Sequence, residues 1–328
     1  MKGFAQLLGG FLLEYVPRRR NLSENTARSY RDSFVLLLRW LADERGIAPD
    51  DVRVEDLSRE NVESFCLWLS DERVVCAATV NVRLTALRSF ASYVGFTEPA
   101  YLGWASALRS VEFSRSPSAE VEWLPAEAVG LIMESASSDL REHAMLGLLY
   151  DSGARVSEIA GARRCDLRPD APATIRLSGK GRKARVVPLC DQVAGITSAY
   201  LSATAGEPGS PLFVNRSGKA IGRAGIAYVL RKHVAAAHRA DPLVVPPTTH
   251  PHALRHSKAV HLVEAGVNII YIRDFLGHSS VKTTEIYAKI SSKSKREALE
   301  RAAASLIVES AYEEKEKSSI LEWLKNLL

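Results

Sequence analysis

At 328 residues, with 46% hydrophobic and 25% charged side chains, the chain has the make-up of a globular protein and enough length for two domains. Its formal net charge of +5 and pI near 9.0 suit a polyanionic partner without requiring one. No apolar run approaches the ~20 residues that span a bilayer, and Cys66, Cys76, Cys165 and Cys190 form no CxxC pair or disulfide framework, so no membrane association and a reducing cytoplasm are expected.

The opening MKGFAQLLGGFLLEYV has the apolar look of a short signal segment, but Glu14 interrupts it, no small-x-small cleavage site follows, and arginines occupy 18–20. Helix is then expected over 24–45 behind Ser23 as N-cap, with Tyr30, Phe34, Leu37, Leu38 and Leu41 on one face. A second helix, 59–72 behind Ser58, would bury Val62, Phe65, Leu67 or Trp68, and Leu69. A third, 77–94, carries the stripe Val80, Leu84, Leu87, Phe90 and Val94, with Arg83 and Arg88 projecting elsewhere as candidate DNA contacts. A short fourth at 99–108 completes a small bundle. The expected division is a helical domain at 1–111, a polar linker at 112–122, a mixed domain at 123–292 and a helical tail at 293–328.

In the second domain an apolar helix over 139–151 ends at Gly153, before a new helical turn near Arg155. Two β-rich runs, 173–178 and 184–189, joined by GKGRK, read as a hairpin. Helices follow at 191–202, 223–239, 252–265, 268–275 and 281–290, with a proline-rich connector at 241–249. The fold class is therefore mainly α with one small antiparallel β-sheet. The tail closes with ILEWLKNLL at 320–328, too short a helix to stand alone in water, so it must dock on its own domain or on a neighbouring subunit.

Chemistry-bearing residues concentrate in this second half. Two guanidiniums, Arg155 and Arg255, match the geometry of a phosphodiester that gains charge on its non-bridging oxygens during in-line attack. Tyr287 offers a nucleophile, although a phenol with an ordinary pKa near ~10 needs a base or strong cationic help at neutral pH. HALRH superficially matches the zinc-binding HExxH, but the glutamate position is Ala253 and no third ligand stands at a convincing distance, so no metal is expected.

The strings SGARVSEI, GKGRKARVVPL, PHALRHS and LGHSSVKTTEIY, with Tyr287 nine residues after His278, resemble the four signature boxes of the tyrosine recombinase (phage integrase) family, in the family's order. The resemblance covers 124–290, and the helical first domain is similar to the family's core-binding domain in pattern. It implies DNA strand cleavage and rejoining through a 3′-phosphotyrosine link, without metal, ATP or other cofactor. Arg155 and Arg255 would hold the phosphate, Tyr287 attack, His252 act as general base, His278 hydrogen-bond the scissile phosphate and Lys180 protonate the leaving oxygen. Glu158 would orient Arg155 or His256, and His256 would support the site. Arg182, Lys183 and Arg185 would contact DNA phosphates.

Lys258 departs from the apolar or small residue usual there, and His250 and His261 are expected to be structural or solvent-facing. The implied partners are a double-stranded recombination site, three further copies in a tetramer on two sites and, as a possibility, a paralogous recombinase. The implied role is an Xer-like resolvase or a transposon or phage integrase in the cytoplasm, at the nucleoid. The alternative is a DNA-binding subunit of this fold that has lost catalysis.

Overall fold

The computed structural model describes residues 2–115, 121–179, 184–278 and 280–290, which form two compact units, Met1–Glu120 and Val121–Leu328. The basic hairpin tip with Lys180, Arg182 and Lys183 and the tail at 293–328 lie outside the described residues. Among the described residues no helix is long and apolar enough to cross a membrane.

The first unit is helical throughout. Helix α1 (Phe4–Gly10) runs into a π-helical stretch, Phe11–Arg19, followed by α2 (Glu24–Arg45), α3 (Arg59–Asp71), α4 (Ala77–Thr97) and α5 (Leu102–Arg109). Ser23 and Ser58 cap α2 and α3 as expected, accepting from the backbone N–H groups of Thr26 and Asn61. The opening segment, which resembles a leader in sequence, is core: Phe4, Leu7, Phe11 and Val16 are buried. Phe11 sits 5.4 Å from Phe90 and 6.2 Å from Phe34, edge to face, so its side chain contributes on the order of 1.5–3 kcal/mol by burial. Trp68 turns toward this core and Leu67 stays 63% exposed. Arg83 donates to Ser29 O and Ser33 Oγ, and Arg88 lies over the Phe113 ring. Asn81 pairs through its amide with both backbone groups of Ser114, so the chain stays attached to this unit beyond α5.

The second unit packs α6 (Ala126–Ala136), α7 (Leu140–Asp151) and α8 (Val156–Gly161) around a sheet of β1 (Leu167–Arg168), β2 (Thr174–Ser178) and β3 (Ala184–Pro188). These are followed by α9 (Asp191–Ala203), α10 (Arg223–Ala240), α11 (Pro251–Glu264), α12 (Ile269–Leu276) and α13 (Lys282–Ile290). The sheet is antiparallel in the order β1-β2-β3, with Ser178 opposite Ala184 at the end where the basic connection begins. Ile175, Leu177 and Val187 point from it into a core shared with α6, α7 and α10. Helix α7 ends at Gly153, whose φ of +55° is left-handed. A Cβ there would also come within 2.8 Å of Leu276, so two distant segments meet closely at this point.

Candidate active site

Four local devices converge on one region of the second unit. The first is the turn after Gly153: Arg155 stands before α8 and its backbone N–H donates to Glu158 Oε2 at 2.8 Å, while its guanidinium reaches Oε1 at 3.1 Å. The second is α11, where Pro251 occupies the first turn and the His250 side chain caps it by accepting from Ala253 N. His252, Arg255 and His256, at i, i+3 and i+4, share one face of that helix. The third is the left-handed Gly277 that closes α12 and delivers His278. The fourth is α13, which carries Tyr287.

Arg255 is only 2% exposed and uses both terminal nitrogens on carbonyls, donating to Gly153 O at 2.5 Å and Leu276 O at 2.6 Å. Burial, then the neighbouring Arg155 and Arg185, push it down to about 10, so it stays charged at neutral pH. Glu158 is buried as well. Desolvation alone would raise it, but the Arg185 fork at 2.8 and 2.9 Å and the Arg155 contacts outweigh this and hold it below the usual carboxylate range.

The Tyr287 side chain is 3% exposed and its hydroxyl lies 2.8 Å from His256 Nδ1. Burial lifts the phenol above its ordinary value, while Arg255 and Arg155 pull the other way. The His256 and His278 imidazoles are pushed down to about 4, chiefly by burial and then by charged neighbours, so both are neutral at pH 7. His252 is lowered for the same reasons. Its ring lies 6.2 Å from that of His256, which lies 5.6 Å from Tyr287, with His278 6.3 Å away on the other side. His278 Nδ1 is fixed 3.0 Å from the Oγ1 of buried Thr284.

The structure thus brings Arg155, Glu158, His252, Arg255, His256, His278 and Tyr287 together around a buried positive centre. It differs from the sequence expectation at two points, the partner of the phenol and the direction of Arg185. The phenol's partner is His256 rather than His252. Of the two partners expected of Glu158, Arg155 is the one it holds, together with Arg185. Arg185, expected on phosphates, is turned inward with a side chain 14% exposed, because a carboxylate 2% exposed requires compensating charge. Sequence reasoning passed over Thr284, although its place three residues before Tyr287 puts it on that helical face. Lys258 departs from the usual pattern because it pairs with buried Asp151 at 2.8 Å and lies over Tyr150. His261 is structural, hydrogen-bonded to the Tyr150 hydroxyl at 2.8 Å.

The profile described as the phage integrase family matches residues 122–294, and that of the phage integrase N-terminal SAM-like domain matches 11–94. The chain belongs to the phage integrase family of tyrosine recombinases. It is 31% identical over 285 residues to the tyrosine recombinase XerC of Rhodospirillum centenum, covering 84% of this chain and 80% of the relative. It is 30% identical over 306 residues to XerD of Bifidobacterium longum, covering 88% and 94%. In fold it is similar to the Tn1549 transposon integrase solved with transposon right end DNA (TM-score 0.69, 18% identity, 92% of this chain and 100% of that one). It is also similar to the XerH recombinase bound to a palindromic difH substrate (TM-score 0.66, 19% identity, 89% and 83%). The activity of this tyrosine recombinase is site-specific recombination through a tyrosine.

Proposed function

We propose that this recombinase cuts and rejoins double-stranded DNA at Tyr287, in integration, excision or resolution. The reading rests above all on a phenol hydrogen-bonded to a neutral imidazole within the field of two arginines. Arg155 and Arg255 grip the non-bridging oxygens of the scissile phosphate, with His278 as a further donor. The Tyr287 hydroxyl gives its proton to Nδ1 of His256, with His252 next along the helix face as relay. Oη then attacks phosphorus in line, a 3′-phosphotyrosine bond forms, and the bond to the 5′-oxygen breaks as that oxygen takes a proton from Lys180. The phosphodiester's energy is kept in the covalent link, so rejoining needs no nucleotide. The arginines supply the charge stabilisation that a metal supplies in other phosphoryl-transfer enzymes.

The helical domain at 1–111 acts as the core-binding domain and the domain at 123–292 as the catalytic one, joined by the linker at 112–122. Four copies work on two DNA sites in the cytoplasm, at the nucleoid, with the 320–328 segment exchanged between neighbours as a cyclic contact.

The test uses duplex sites selected by the wild-type protein from a randomised pool and nicked to trap the intermediate. We expect a denaturation-resistant protein–DNA adduct that forms in excess chelator without nucleotide, and none with Tyr287→Phe. Wild-type protein that binds such sites yet never forms the adduct would instead be an architectural subunit of this fold.

A further inference from the structure

Arg185 sits where three parts of the site meet. Its Nη1 and Nη2 donate to the two oxygens of Glu158, the carboxylate that also holds the backbone and side chain of Arg155. Its Nε donates to Phe275 O at 2.8 Å. Arg255 takes the next carbonyl, Leu276 O, so two guanidiniums satisfy consecutive carbonyls at the C-terminal end of α12, where unpaired acceptors and the negative end of the dipole gather. The following residue, Gly277, has φ +65°, and a Cβ on it would lie 3.0 Å from Arg185 Nη1 and 3.1 Å from its Cδ. The guanidinium is therefore packed against the backbone that presents His278. Its own strand, β3, begins one residue earlier at Ala184, directly after the connection that carries Lys180.

We propose that Arg185 is a positioning residue, a strut that fixes strand β3, the Glu158–Arg155 pair and the His278 turn to one another, and not a phosphate contact. The inference rests on the strand-cleavage reading above. A side chain whose three donating nitrogens are all engaged inside the protein has little left for DNA, whereas a change in its length or planarity is felt at every group it holds. The fork geometry matters, so lysine cannot replace it.

The test compares Arg185→Lys and Arg185→Gln with wild type on the same nicked duplex, in two readouts. For noncovalent binding, the dependence of log affinity on log salt should keep the wild-type slope, since loss of one phosphate contact would reduce that slope by about one. For adduct formation at saturating DNA, both variants should fall about 10²-fold. A duplex whose scissile 5′-oxygen is replaced by sulfur, a leaving group that needs no proton, should restore part of the rate to both variants, because β3 follows directly in the chain on the connection that carries Lys180. A slope lowered by about one, or either folded variant forming adduct at the wild-type rate, overturns the strut. Should glutamine prevent folding, the charge-preserving lysine variant decides alone. Failure of wild type itself to form adduct sinks the cleavage reading instead, and the two failures are distinct.

Discussion

Two glutamates in the second unit are both buried and differently surrounded. Glu142 on α7 accepts from Lys232 Nζ and His233 Nε2, both at 2.7 Å, with Arg141 at 3.3 Å, and Asp139 adds a second acid by capping the same helix. The Lys232 side chain is 49% exposed and His233 is closed off on its other nitrogen by Ser135. Cations and anions there are balanced. Around Glu158, among the described residues, a single carboxylate faces Arg155, Arg185 and Arg255, and the hydrogen bonds of the last go to carbonyls. Burying charge does not mark a site; burying a surplus of it does, because an uncompensated guanidinium is costly away from water and persists where an anion will complete it.

Disturbing how the surplus is held should have the largest effect. Arg255→Lys keeps the charge but loses the planar fork that reaches Gly153 O and Leu276 O together. Adduct formation at saturating DNA should drop about 10²–10³-fold, as on removing one transition-state donor, while noncovalent binding changes only a few-fold. Wild-type cleavage by this variant in single-turnover assays would mean that the planar fork of Arg255 serves folding alone.

Removing the charge of Glu158 is the next test. Glu158→Gln keeps the shape and loses the charge that anchors Arg155 and Arg185, so cleavage should fall about 10-fold or more through misplacement. Stability against pH carries a second signature. Glu158 is depressed when folded, so its contribution is complete above the usual carboxylate value near ~4.3 and is lost as pH falls through its lower folded value. His256 and His278 have the same sign: folded near about 4 against an ordinary 6.5, they resist protonation, and stability falls as pH drops between those values. Wild type should therefore weaken progressively below pH 6.5 in denaturant titrations. The Glu158→Gln curve should start lower at neutral pH and run flatter below pH ~4.3.

These contrasts also explain what could be read from the sequence. The helix over 24–45 was legible because its cap, its apolar stripe and its end are all local, and the family boxes were legible because recognition needs only order and spacing. The opening segment was not: Phe4, Leu7, Phe11 and Val16 look alike whether a bundle or a membrane covers them, and only the aromatic cluster with Phe34 and Phe90 reveals which. Helix α6 went unread, its apolar face diluted by Gly130 and by Pro125 at its start, and β1, two residues long, carries almost no periodic signal. Within the site, Arg155, Arg255, His278 and Tyr287 announce themselves by motif. What Arg185 and His256 touch does not, since their partners lie 27, 31 and 90 residues away.

The balanced cluster should behave in the opposite way to the surplus one. Glu142→Gln leaves Lys232 and His233 with a weaker acceptor, so the domain should lose about 2 kcal/mol in chemical denaturation. Adduct formation per folded molecule should match wild type. A cleavage defect larger than the loss of folded protein would show that balanced buried charge also reaches the site, and the distinction between the two glutamates would fail.

Between these extremes lies Asp151, with one cation and one further donor. Its Oδ1 accepts from Lys258 and its Oδ2 from the backbone of Cys190, joining α7, α11 and the start of α9. The pair is balanced, so cleavage should be insensitive to it. Its loss should also be milder than that at Glu142, because Asp151 lines a cavity of about 270 Å³ between α6, α7 and α9 through which water can reach an abandoned carboxylate. Lys258→Met should therefore cost about 1 kcal/mol. Adding Asp151→Asn, which keeps an oxygen for the Cys190 N–H and removes the stranded charge, should recover part of that loss. A thermodynamic cycle over the two substitutions measures the coupling. If the double variant is no more stable than the two single losses predict by addition, the ammonium and the carboxylate are near one another without being coupled, and the lysine owes its place to packing over Tyr150 instead.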